Sequence, residues 1–194
     1  MSQPQKGICA EPNLHAQFLH YNVIDEDEQA IRAKLARVLD IFDHFDNEHY
    51  EAMVSGVICI GSDYFSELYP GLRPIELSPF PDMQCDDRIA PSKTCDLLIQ
   101  IRADRLDIVH AISMEVHELL HLHVELIDDI RGFRYLDGRD LTGFIDADDN
   151  PRGLDKKAVA VIGEEDPDFI GGCYVHTQKY LHDMRRWQLL SERR

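Results

Sequence analysis

Between Leu14 and Val23 the apolar residues Ala16, Phe18 and Val23 alternate in short steps with polar neighbours. That is the period-two pattern of a strand with one covered face. The acidic run Asp25-Glu26-Asp27 then suits a helix start, because carboxylates there accept first-turn N–H groups and favour the positive end of the helix dipole. Ile31, Leu35, Val38, Leu39, Phe42 and Phe45 recur at helical spacing, predicting one buried stripe with Arg32, Lys34 and Arg37 turned to water. Residues 52–60 (Ala-Met-Val-Ser-Gly-Val-Ile-Cys-Ile) read as a second strand that ends at Gly61.

Pro70, Pro74, Pro79, Pro81 and Pro91 fall in the next stretch, which reads as a long surface excursion from Pro70 to Thr94. Leu97 to Ile101 is a third strand. Ile108, Val109, Ile112, Val116, Leu119 and Leu120 mark a second amphipathic helix, and a fourth strand follows near Leu122 to Ile130. The order βαββαβ predicts an α+β, ferredoxin-like unit, an antiparallel sheet with both helices on one face. Beyond it come an apolar strand candidate at Ala158 to Ile162, a glycine-led stretch from Gly171 to Tyr180 and a terminal helix containing Trp187.

Composition narrows the class of protein. A chain of 194 residues with 44% hydrophobic content can bury one sizeable core. The 36 acidic against 20 basic residues give a net charge of −16, which disfavours nucleic acid and anionic membranes as partners. Cys9, Cys59, Cys85, Cys95 and Cys173 are widely spaced and form no Cys-x-x-Cys pair, so neither a disulfide framework nor a thiolate metal site is expected. The first residues hold no apolar signal core, and no apolar run approaches the roughly 20 residues of a bilayer span. Together these features predict a cytoplasmic protein.

Candidate chemistry is concentrated in the run from Arg131 to Pro151. Its segment Gly143-Phe144-Ile145-Asp146-Ala147-Asp148-Asp149-Asn150-Pro151 resembles the signature of the dye-decolourising (Dyp-type) haem peroxidases. There a Gly-x-x-Asp-Gly motif, often continued as Thr-Glu-Asn-Pro, lays backbone and a catalytic aspartate over the distal face of haem. Gly143, Asp146, Asn150 and Pro151 fit that pattern, whereas Ala147, Asp148 and Asp149 stand where the family has glycine, usually threonine and often glutamate. Gly171-Gly172-Cys173-Tyr174-Val175-His176-Thr177-Gln178-Lys179-Tyr180, with His182-Asp183 and Trp187 after it, is similar to the strand and helix that follow the aspartate loop in that family. The opening residues Met1 to Ile8 also look like the start of the bacterial members.

The resemblance implies one domain over residues 1–194, with a ferredoxin-like core from about residue 12 to about residue 180, forming half of a two-unit fold. It implies a b-type haem, hydrogen peroxide and a small organic donor or dye as reactants, and Asp146 as the distal acid-base group. Ile145, Ala147, Asp148 and Asn150 would then line the haem's distal face. The family's proximal histidine and distal arginine come from the second half, beyond Arg194, so no iron ligand is assigned here. Without the motif, a lone loop aspartate such as Asp146 reads as a turn cap. Ala147 adds a Cβ where glycine would let the backbone approach freely, and Asp148 adds a second negative charge near the haem.

Two other readings compete. His117-Glu118-Leu119-Leu120-His121 satisfies the His-Glu-x-x-His pattern of zinc hydrolases, and on a helix its histidines share a face with His110. The plainer reading is a solvent-facing histidine stripe, because the pattern is short and no third ligand is placed. A non-catalytic, truncated relative would instead use an uncovered sheet face to pair with a partner chain or as a homo-oligomer. Asp146, Asp148 and Asn150 imitate half of a calcium loop, but Pro151 and Lys157 stand where that loop needs glycine and glutamate.

Overall fold

A computed structural model of the chain describes residues 3–145 and 149–191. In chain order its elements are α1 (Lys6–Cys9), β1 (His15–Val23), α2 (Glu28–Glu48), β2 (Ser55–Ile60), α3 (Phe65–Leu68), β3 (Met83–Cys85) and β4 (Arg88–Ala90). There follow β5 (Leu97–Ala103), α4 (Leu106–Leu120), β6 (Val124–Phe133), α5 (Asp155–Ala160) and α6 (Met184–Ser191). One antiparallel sheet runs in the order β2-β5-β1-β6, with β1 and β5 at its centre. This is the ferredoxin-like arrangement that the order of elements predicts.

Burial explains why β5 is central. Leu97, Ile99, Ile101 and Ala103 alternate onto one face and are fully buried there, together with Leu19 and Tyr21 of β1. That face is covered by Ile31, Leu35, Val38, Ile41 and Phe42 of α2 and by Ile108, Val109, Ile112, Val116 and Leu120 of α4. Each such side chain contributes about 1.5–3 kcal/mol on leaving water. Asp27 caps α2 by accepting from the Ala30 N–H at 2.9 Å, and Asp25 accepts from the Asp27 N–H, so the acidic run does start the helix. Asp25 also pairs with His123, tying the start of α2 to the turn before β6.

Several sequence expectations shift. Leu39 is 40% exposed while Ile41 is buried, because the helical turn carries position 39 off the stripe and position 41 onto it. Arg32 and Lys34 are half-buried rather than free in water, donating to the carbonyls of Leu68 and Leu119, and the Arg32 guanidinium also lies over the Tyr69 ring at 5.8 Å. Ala158 to Ile162 is not a strand: Asp155–Ala160 is a helix with an acidic first turn and good helix formers in Lys156, Lys157, Ala158 and Ala160. Gly171 to Tyr180 contains no strand, and it meets the Ile162 backbone only through Gly171 and Gly172. The proline-rich excursion carries the small β3–β4 hairpin.

Gly61 ends β2, with its N–H on the Asp96 carbonyl at 2.8 Å. A Cβ there would lie 2.0 Å from the Cys95 carbonyl oxygen, so backbone itself must move. We expect Gly61→Ala to cost about 1–3 kcal/mol in urea unfolding; an unchanged midpoint would contradict this strand junction. Among the described residues no helix is long and apolar enough to cross a membrane.

Candidate active-site loop

The chain leaves β6 with the Arg134 N–H on the Leu14 carbonyl and enters a loop that bonds mostly to itself. Tyr135 accepts from the N–H groups of Gly138 and Arg139, and Asp140 and Phe144 face each other through the Asp140 N–H and the Phe144 carbonyl. Asp140 is the hub. Its Oδ1 accepts from the Thr142 N–H at 2.9 Å, the Thr142 hydroxyl at 2.7 Å and the Phe144 N–H at 3.0 Å. Gly143 sits at φ +93, a left-handed conformation that an L side chain resists, which explains glycine at this corner. Arg139 braces the loop by bonding both Asp137 and the Gly143 carbonyl, and its backbone bridges to Ile145.

The Thr142 hydroxyl, aided by the Phe144, Thr142 and Gly143 amides, holds the Asp140 carboxyl below its usual range. A depressed folded value means that this stabilisation is complete above the ordinary carboxylate pKa and is lost as pH falls through the depressed one. Hydrogen-exchange protection factors at Thr142 and Phe144 should therefore fall on acidification below about pH 4. Protection that stays constant to the acid limit of folding would contradict Asp140 as the hub.

Ile145 is exposed at the end of the Arg139 bridge, and Asn150 is exposed beyond it. Asp146, Ala147 and Asp148 lie outside the described residues. Three apolar side chains, Leu141, Phe144 and Ile145, stand 49%, 62% and 55% exposed on the loop. Sequence reasoning missed two of the loop's supports. Asp140-x-Thr142 was legible as a local side-chain turn, but nothing placed Trp187, named only in the family resemblance, against the loop: its indole Nε1 donates to the Thr142 carbonyl at 3.1 Å across 45 positions, and its ring meets Phe144 at 5.7 Å between centroids.

The histidine pattern does not assemble a metal centre. His117 lies against Tyr21, His121 points its Nδ1 at the Glu118 carbonyl at 2.7 Å, and His110 is exposed. No group of three potential ligands occurs among the described residues. The cysteines behave unexpectedly: Cys59, Cys95 and Cys173 converge on one cavity of about 420 Å³ at the β2 edge. Burial raises all three thiols, Cys59 to about 12 with Cys173 and Cys95 adding to it. They are therefore neutral, poorly nucleophilic side chains.

The Dyp-type peroxidase N-terminal family model matches residues 5–134, and the Dyp-type C-terminal model matches residues 137–193. The chain belongs to the Dyp-type peroxidase family. Its aspartate loop lies in the segment matched by the C-terminal model. Over 189 residues it is 38% identical to the dye-decolorizing peroxidase of Mycolicibacterium paratuberculosis, covering 97% of this chain and 53% of that protein. The crystal structure of a Dyp-type peroxidase from Shewanella oneidensis superposes with a TM-score of 0.93 at 41% identity, over 97% of this chain and 61% of that one. A variant of Rhodococcus jostii RHA1 DypB in complex with heme superposes with a TM-score of 0.91 at 32% identity, over 98% of this chain and 62% of that one. The chain thus spans about half the length of the curated relative, at 53%.

Proposed function

We propose that this chain carries the distal side of a haem peroxidase site, in which Asp146 moves the proton that lets hydrogen peroxide be reduced at the expense of a small organic donor or dye. The observation that carries this reading is the state of the loop before Asp146. A macrocycle edge needs an apolar surface whose neighbouring polar groups already have partners. Leu141, Phe144 and Ile145 supply the surface, while Asp140 and Arg139 occupy the local N–H and carbonyl groups. The described loop residues fit a b-type haem on that side. Leu141, Phe144, Ile145 and Asn150 would hold it, with Ala147 and Asp148 beside them by family resemblance.

Haem, when bound, supplies the redox chemistry. The chain's part is proton transfer: the Asp146 carboxylate takes a proton from one peroxide oxygen and returns it to the other, which leaves as water. The organic donor supplies the electrons. No residue of this chain is proposed as the iron ligand. The five free cysteines support a reducing, cytoplasmic setting. The test uses the chain's only tryptophan. Trp187 touches Phe144, so hemin seated on the loop should quench its fluorescence saturably; emission unaffected by stoichiometric hemin would overturn the reading.

A second reading, a non-catalytic relative that self-associates, draws on β6. This edge strand is 10 residues long and exposes Leu126, Ile127 and Phe133, at 40%, 50% and 65%. Open edges with apolar side chains pair readily with another chain. Light scattering that returns a hemin-free dimer supports it, and a stable monomer counts against it.

A further inference from the structure

We infer that Trp187 is a positioning residue for the aspartate loop, clamping it from a helix that lies outside the core. The inference deepens the proposed haem site and rests on it for its functional half. The loop's internal bonds fix its own shape, but they do not fix where it sits relative to the rest of the chain. Past Arg134 the backbone–backbone hydrogen bonds described between Tyr135 and Ile145 all close within the loop. Trp187 provides an external hold.

An indole suits that task because it offers a flat apolar face and a single N–H donor together. Both are used here: the Nε1–H on the Thr142 carbonyl at 3.1 Å, and the ring against Phe144 at 5.7 Å. Thr142 is also the residue whose N–H and hydroxyl bind Asp140, so the clamp grips the loop at its hub. Phe144 lies two positions before Asp146 in the sequence, within the same motif. Asp183 caps the helix, accepting from the Arg186 N–H at 3.0 Å through Oδ1 and from the Trp187 N–H at 2.9 Å through its carbonyl, and the segment leading into it is tied to β6 by Lys179, whose Nζ donates to Asp128 at 2.6 Å. α6 contributes nothing to the hydrophobic core cluster, so removing the indole should leave the fold standing.

The experiment compares the full chain with its Trp187→Phe and Trp187→Leu variants. Without hemin, Trp187→Phe keeps a ring but loses the N–H, and exchange at Gly143 and Phe144 should quicken about fivefold. Trp187→Leu loses both and should quicken it about thirtyfold, with the sheet amides and the melting temperature unchanged in each. Loop exchange that matches the parent in both variants overturns the clamp. In the hemin-loaded chain, Trp187→Leu should lower kcat for peroxide about tenfold when turnover is counted per bound hemin, which removes any loss of folded protein, with Trp187→Phe falling between it and the parent. A kcat equal to the parent's overturns the positioning role. A parent chain that takes up no hemin overturns the distal-site reading instead, and loop exchange still decides the clamp.

Discussion

Asp146→Asn is expected to lower the peroxide-dependent turnover of the hemin-loaded chain by about 10²- to 10⁴-fold, the usual worth of a positioned acid-base group. Asparagine keeps the size and polarity of the side chain but cannot take up a proton. Hemin affinity should therefore be retained while dye oxidation at saturating peroxide collapses. Asp140→Asn is the informative contrast. Asp140 is the loop's hydrogen-bond hub, bound by Thr142 and Phe144, so its loss should weaken hemin affinity and turnover together. Turnover in Asp146→Asn within a factor of about two of the parent would remove Asp146 from the mechanism, whatever the Asp140 variant does.

The second large effect is structural. Ile99→Ala should cost about 3 kcal/mol, read as a lower urea midpoint at unchanged slope. Ile99 is fully buried at the centre of β5, opposite Leu19 on one side and Ile58 on the other, beneath both long helices. Its neighbour Leu98 points to the opposite face, where it borders the cavity at the β2 edge. Truncation at Leu98 removes contacts but opens less new void, so Leu98→Ala should cost about half as much. Equal losses at the two positions would mean that the helices do not cover one face of the sheet as described.

The fold was legible because its signals are local and periodic. Alternation at β1, the stripe from Ile31 to Phe42 and the Ile108-to-Leu120 stripe each follow from one face being buried, and their order selects the ferredoxin-like topology. Errors arose where periodicity is weak. Ala158 to Ile162 is too short for its apolar residues to separate strand from helix, and its lysines and alanines decide for helix. Arg32 and Lys34 depart from the expected exposure because a long charged side chain can reach back to a carbonyl, here those of Leu68 and Leu119.

The site was legible in a different way. The aspartate motif announced itself by residue type and spacing, whereas its supports depend on contacts made in three dimensions. Trp187 reaches Thr142 across 45 positions, and Cys59, Cys95 and Cys173 meet at one cavity although nothing in their spacing pairs them. Asp140 lies between the two cases. Its turn with Thr142 is local, but its importance appears only once the Phe144 amide is seen to close on the same carboxylate.

A hemin titration of the full chain, followed in the Soret band, tests the distal haem site most directly. The Soret band should shift from that of free hemin and saturate at one hemin per chain, with Asp146→Asn binding as tightly as the parent. A spectrum that stays that of free hemin through the titration would contradict it.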